Sequence, residues 1–262
     1  MTSAPANSVG GYNPEHFAQL DAVEDGHFWF QARRKVIGTL ARQLTANLPP
    51  GYNALEVGCG NGSLLPTLQS ACANGRVLGV DLFFQALSRA RRRTTCPLIQ
   101  ASIDHPPFGV DFSLVGLFDV LEHMPDDTAA LKSIYRVLAP GGALLLSVPA
   151  HMSLWSYFDV LSDHVRRYSP RQLRAVLESA GFQVEFQSQF LAILYPVMWL
   201  SRRLRKSGQQ ANPDAMSNEL KVNPILNSIL SFMLGSEAHL LARRMRLPIG
   251  TSLIAIARKP LA

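Results

Sequence analysis

The run Ala54-Leu-Glu-Val-Gly-Cys-Gly-Asn-Gly62 constrains this chain more than any other. A short apolar stretch ends in a glutamate and passes directly into three alternating glycines. Apolar, helix-like sequence follows from Ser63 to Ala73. The pattern predicts a strand, a tight turn and a helix. Glycines at 58, 60 and 62 let the backbone take positive φ and let a ligand lie against bare main chain. Glu56 falls at the end of a strand that should be buried. A carboxylate there is costly without a partner, and a cationic ligand group is one such partner. A second strand, Arg76-Val-Leu-Gly-Val80, ends in Asp81, 23 residues after Gly58. An acid at that place can accept both hydroxyls of a ribose.

The rest of the chain repeats the alternation. Residues 13–48 read as helical, with Val36, Ile37, Leu40, Leu44 and Leu48 at helical spacing, and Pro49-Pro50-Gly51 stops the run. Strands at 53–57, 76–80, 97–101, 113–118 and 143–148 alternate with helices at 63–73, 83–94 and 128–138. This predicts a parallel sheet covered on both faces. Pro140-Gly141-Gly142 reads as the turn into the fifth strand. A helix from Pro170 to Ala180, a strand over 182–189 and a last strand from Thr251 to Arg258 complete the pattern. Residues 190–247 are too many for a loop and should carry structure of their own.

Composition narrows the class. With 262 residues, 47% of them apolar, the chain suits one globular domain with an appendage. The three cysteines, at 59, 72 and 96, have neither zinc nor disulfide spacing, so no metal site is expected and a reducing cytoplasm is the natural compartment. Residues 1–12 read as a loose tail without the apolar core of a signal peptide. No apolar run approaches the roughly 18 residues that span a bilayer. The net charge is +6, and arginines cluster at 33–34, 89–93, 166–167, 202–205 and 243–246. Together they suit an anionic surface or substrate. Nucleic acid is disfavoured, because no nucleic-acid module or interleaved stacking aromatics accompany them.

The glycine turn with its later acid has two known users. A nicotinamide dehydrogenase needs G-x-G-x-x-G, but here Ser63 holds the third position and Gly62 comes one residue early. Instead, Glu56-Val-Gly-Cys-Gly-Asn-Gly62 with Asp81 resembles the class I S-adenosylmethionine (SAM) methyltransferases. Leu117-Phe-Asp-Val-Leu-Glu-His-Met-Pro-Asp126 resembles the D-V-L-E-H signature of their ubiquinone-type group. Val137-Leu-Ala-Pro-Gly-Gly142 is similar to that group's turn before strand 5, and His27-Phe-Trp-Phe-Gln-Ala-Arg-Arg34 to its entrance helix. The resemblance implies a Rossmann-like α/β fold. Its seven-stranded, mostly parallel sheet has order 3-2-1-4-5-7-6 with strand 7 antiparallel. Helices cover both faces, and a helical insertion separates strands 6 and 7. The implied organisation is a tail over 1–12, entrance helices over 13–50, a SAM-binding domain over 51–189 plus 251–262, and an insertion or lid over 190–250.

The resemblance also implies the cofactor contacts. Backbone amides of Gly58, Cys59 and Gly60 suit the SAM carboxylate. Glu56 compensates the amino-acid end or holds the glycine loop. Asp81 takes the ribose hydroxyls and Leu82 flanks the adenine. A carbonyl of Leu117 or Phe118 meets the amino group. Trp29, Phe30 and Phe118 either face the sulfonium through cation–π attraction or pack in the core. Where relatives carry an adenine-reading Asp, this chain has Ser102, with Asp104 two residues on, and the amide of Ile103 can read a ring nitrogen.

Methyl transfer needs a base only if the acceptor must lose a proton. His123 follows strand 4, either as that base or as a loop histidine fixing backbone. His151, Asp159, His164 and Tyr168 follow strand 5, with Trp155 and Arg167, where an acceptor would lie. Asp159 can instead form an ion pair with Arg166 or Arg167. The expected activity is methylation of a small or lipid-linked acceptor at oxygen, nitrogen or carbon. The alternative is a SAM-binding regulator or membrane-surface adaptor without turnover. Residues 190–247 suit a lid, a dimer surface or peripheral contact with an anionic membrane, because apolar helices stand beside clustered arginine. Oligomeric state stays open.

Overall fold

The computed structural model describes residues 23–109, 112–204 and 222–261. One sheet runs in the order β3-β2-β1-β4-β5-β7-β6. Its strands are β1 (Asn53–Val57), β2 (Arg76–Asp81), β3 (Leu98–Gln100), β4 (Phe112–Phe118), β5 (Leu138–Pro149), β6 (Gln183–Phe190) and β7 (Ser252–Arg258). The first five pair in parallel, and β7 runs antiparallel between β5 and β6. Both the order and the reversed strand are those expected from sequence.

Two apolar layers hold the sheet. On one face α1 (Phe28–Thr45) supplies Val36, Ile37 and Leu40, α2 (Leu65–Ala71) supplies Leu65 and Leu68, and α8 (Pro224–Ala242) supplies Leu234 and Leu241. On the other, α4 (Asp127–Val137) and α6 (Pro170–Ser179) contribute Leu131, Ile134, Leu173 and Leu177. Shorter helices are α3 (Phe84–Ala90), α5 (Tyr157–Leu161) and α7 (Leu194–Leu204). Strand β4 is apolar at nearly every position because it is covered on both sides.

Several boundaries differ from expectation. The first described helix begins at Phe28, where His27 Nδ1 accepts the N–H of Trp29, and residues 23–26 form a turn. The tail and residues 13–22 lie outside the described residues, as do Arg205 and Lys206 of the basic run. Pro140-Gly141-Gly142 is a bulge inside β5 rather than a turn before it. Phe112 pairs with Leu138, and the register then jumps to Leu114 with Ala143. Gly141 takes φ of 74°, and Gly141 and Gly142 exchange backbone hydrogen bonds with Lys259.

The insertion is tied to the domain. Asn227 Oδ1 accepts the N–H of Phe28 and its Nδ2 donates to the carbonyl of Gly26, each at 2.8 Å. Glu237 accepts the N–H groups of Leu191 (2.6 Å) and Ala192 (2.9 Å) just before α7. Contrary to the expectation that no apolar run is long enough to span a bilayer, α8 is by length and composition a helix that could cross a membrane, with 28% of its apolar window buried. Its polar positions are small and uncharged apart from Glu237 and His239, so they break the run without removing its apolar character. Ile225, Ile229 and Phe232 remain exposed, the last at 82%.

Candidate active site

The carboxyl ends of β1, β2, β4 and β5 meet at one edge, where ligands bind in sheets of this kind. At the end of β1, Gly58, Gly60 and Gly62 take φ of 68°, 52° and 75°. A side chain at Gly58 would run into Val120, and one at Gly62 into Ala90. The amides of Gly58 and Cys59 both donate to the carbonyl of Val80, which pins the turn against β2. Contrary to the expectation from sequence, these N–H groups are spent inside the fold rather than offered to a SAM carboxylate, as is that of Gly60 on Asp81. Asp81 closes it: Oδ2 accepts the N–H of Gly60 at 2.8 Å and Oδ1 that of Phe83 at 2.9 Å. A carboxylate has roughly four acceptor positions, so capacity remains for ligand hydroxyls. Burial raises the Asp81 pKa, against the pull of these amides.

Glu56 fits a cationic ligand. It is 2% exposed, and Oε2 has no hydrogen-bond partner among the described residues. Burial pushes its pKa up to about 8, with Arg33 pulling it down and Asp81 adding to the rise. Cys59 is buried, with its thiol pushed up by burial. Leu82 is exposed beside Asp81, and Gln100 Nε2 donates to its carbonyl. Ile103 is buried. Ser102 Oγ donates to Asp104 Oδ2 at 3.1 Å and accepts the Asp104 N–H, so the two polar residues are joined to each other. These features suit SAM: a glycine turn without side chains, an acid at the end of β2 with acceptor capacity left, and a buried carboxylate able to partner a cationic group.

Helix α1 brings two further groups. Arg33 lies over the Trp29 ring at 5.4 Å and pairs with Asp119 Oδ2 at 2.5 Å. Asp119 follows β4 with φ of 53°, donates its N–H to the carbonyl of Ser147 and accepts the Ser147 hydroxyl. Leu117 and Phe118 are buried beneath it, and Phe30 packs edge-on to Trp29. The basic cluster at 33–34 suggested an anionic surface or substrate for Arg33, but Arg33 is buried and paired within the fold, and its pairing with Asp119 was not expected from sequence. The available signals were the four-residue spacing of Trp29 and Arg33 and the first letter of D-V-L-E-H.

The residues after β5 fall into three groups. His151, with φ of 61°, places Nε2 2.5 Å from Gln189 Oε1, and its ring meets Tyr195 of α7 at 5.4 Å. Gln189 Nε2 donates to the carbonyl of Pro248, so its oxygen faces His151. His151 therefore donates from Nε2.

The second group centres on Asp159, which is fully buried. Oδ1 meets His164 Nδ1 at 2.9 Å and Arg167 Nε at 2.6 Å, while Oδ2 accepts the N–H and hydroxyl of Ser156. Burial pushes the carboxyl up, but His164 and Arg167 prevail and hold it below the ordinary range. Glu122 Oε1 is 3.9 Å from His164 Nε2, and the His123 ring is 4.9 Å from that of His164. Burial, reinforced by His164, pushes the His123 pKa down to about 4.

Tyr168 makes up the third. It is buried, its hydroxyl donates to Asp127 Oδ2 at 2.8 Å, and Arg166 binds the same oxygen at 2.6 Å. Burial and Asp127 raise the phenol pKa. Tyr168 and Arg166 thus brace α4, while Arg167 is the partner of Asp159. Two surface depressions elsewhere, one lined by Gln69, Arg76 and Pro97 and the other by Arg174, Phe182 and Arg258, include none of these residues.

Known proteins agree with this geometry. The family model described as a methyltransferase domain matches residues 28–187. A Mycolicibacterium smegmatis protein named "Probable S-adenosylmethionine-dependent methyltransferase" is 28% identical over 172 residues, covering 63% of this chain and 63% of that protein. The chain thus spans less than two thirds of that relative's length. The ubiquinone biosynthesis O-methyltransferase of Idiomarina loihiensis is 28% identical over 191 residues, with 69% and 70% covered. Among solved structures, phosphoethanolamine N-methyltransferase 2 of Haemonchus contortus shares the fold. It has a TM-score of 0.54 at 20% identity, covering 85% of this chain and 52% of that one. On the strength of the family match, and with the sheet order to agree, the chain belongs to the methyltransferase-domain family, among the class I SAM-dependent methyltransferases.

Proposed function

We propose that this protein transfers the methyl group of SAM to a small or lipid-like acceptor at the carboxyl edge of β4 and β5. The observation that carries the reading is the clasp of Asp81 on Gly60, beside a buried Glu56 whose Oε2 has no hydrogen-bond partner among the described residues. SAM supplies a methyl group already activated by sulfonium. The chain's own task is to hold the donor, exclude water and orient an acceptor, which can supply much of the rate. His151 is the residue best suited to take an acceptor proton, because Gln189 sets its tautomer and α7 covers its ring. The test is consumption of SAM and appearance of S-adenosylhomocysteine with a panel of phenolic, amine and lipid-linked acceptors. Mass analysis of copurifying ligand would guide the panel. Tight SAM binding without turnover on any copurified ligand would favour a regulator.

The same reading includes peripheral contact with an anionic membrane from the cytoplasmic side. Val197, Leu200 and Leu204 on α7, and Ile225, Ile229 and Phe232 on α8, are at least half exposed, with Arg202 and Arg203 on α7. Apolar side chains beside arginine suit the headgroup boundary. Sedimentation with vesicles decides it. Binding to anionic but not neutral vesicles, lost at high salt and in R202Q/R203Q, supports contact. No binding to any vesicle leaves α7 and α8 as a lid.

A further inference from the structure

We propose that Glu122, His123 and His164 bind one divalent first-row transition cation at the carboxyl edge of β4. One ligand atom from each lies within 4.8 Å of the others. The sequence has no zinc spacing; the cluster arises because the 3-10 turn Leu121–His123 meets the loop before α6.

Glu122 is the first reason. It is fully buried, and neither carboxylate oxygen has a hydrogen-bond partner among the described residues. A carboxylate in that state is costly unless it is paired or coordinates a metal. The second reason is how His164 is held. Its Nε2 turns toward Glu122 while Nδ1 binds Asp159, which is itself fixed by Arg167 and Ser156. A carboxylate behind the ring is the usual support of a metal-binding imidazole, setting its tautomer and orientation. His123 stands edge-on at 77° to His164, and backbone hydrogen bonds at Asp163 and Asp119 already engage its ring, so metal binding has to displace one of them.

Two imidazoles and one carboxylate favour zinc, cobalt, iron or manganese over magnesium or calcium, which prefer all-oxygen shells. Three protein ligands leave a coordination position for water or an acceptor oxygen. That last role rests on the methyl-transfer reading; the metal site itself does not. The competing arrangement is His164 lying between the Asp159 and Glu122 carboxylates with no metal involved.

The experiment titrates untagged, chelator-stripped full-length protein with Co2+ alone, read by its visible absorption and by bound metal per chain. Calorimetry with SAM is run on the same samples. The expected result is one Co2+ per chain, displaced by Zn2+. E122Q and H164A should each weaken Co2+ binding at least tenfold, and D159N about 10- to 100-fold, the range for a supporting carboxylate. SAM binding should persist in all three. If E122Q or H164A fails to bind SAM, H123A and H164N replace them with the same expectation. Wild-type protein that binds SAM but takes up no stoichiometric Co2+ would overturn the proposal. So would Co2+ binding that is unchanged in the variants. Protein that binds Co2+ but not SAM would instead sink the methyltransferase reading and leave the metal site standing.

Discussion

Asp81 Oδ2 accepts the N–H of Gly60 at 2.8 Å, so the acid at the end of β2 clasps the glycine turn at the end of β1. One carboxylate thereby shapes the cradle and meets the ligand. Asp81→Ala should weaken SAM binding by about 1.5–3 kcal/mol, the scale of hydrogen bonds to a charged group. Asp81→Asn should lose less. Calorimetry on folded protein checks this, and full-strength binding by Asp81→Ala would remove the cofactor assignment.

Gly60 takes φ of 52°, a conformation that β-branched side chains essentially avoid. Gly60→Val should abolish SAM binding by straining the turn and filling the cradle. An unchanged dissociation constant would mean that the ligand lies elsewhere.

Glu56 makes a prediction about pH. Burial keeps its carboxyl protonated up to about pH 8 in the free protein, whereas the ordinary value is 4.5. Between those values the folded state holds a proton that the unfolded state has lost. Its contribution to stability is therefore greatest below about pH 4.5 and falls as pH rises toward 8. A cationic ligand beside Glu56 favours the ionised form, so SAM binding at pH 7 should release about one proton. Calorimetry in buffers of different ionisation enthalpy measures that release. Glu56→Gln should abolish it, and zero release by wild type would place the cationic group away from Glu56.

The histidines separate general-base catalysis from positioning. If His151 takes the acceptor proton, His151→Ala should cut turnover about a hundredfold or more with SAM affinity intact. A large loss at His164 or His123 with little at His151 would move the role to that residue. Small losses at all three would mean that positioning suffices.

Glu237 ties the insertion to the domain through the amides of Leu191 and Ala192. Glu237→Ala leaves both without their acceptor and should cost about 1–3 kcal/mol in urea unfolding. It should also speed proteolysis within 190–204. Wild-type stability and resistance would show that α7 is held by other contacts.

The sequence by itself determined the backbone plan. Three alternating glycines after an apolar strand leave few alternatives to a positive-φ turn, and the strand–helix alternation with Asp81 after β2 specifies a parallel nucleotide-binding sheet. These features are local, so periodicity and glycine spacing reveal them. The tertiary structure decided which polar groups meet. Arg33 and Asp119 are 86 residues apart, and Glu122 faces His164 only because the loop after β5 folds back over β4. Whether Asp159 belonged to Arg166 or Arg167, and whether Gly141 turned the chain or bulged a strand, depended on neighbours that no local pattern encodes. The same holds for α8. Its composition leaves membrane and core both open, and packing along α1 buries one face while leaving the other to solvent. A buried charge is settled by the groups that surround it, and those are assembled by the fold rather than by adjacency in the chain.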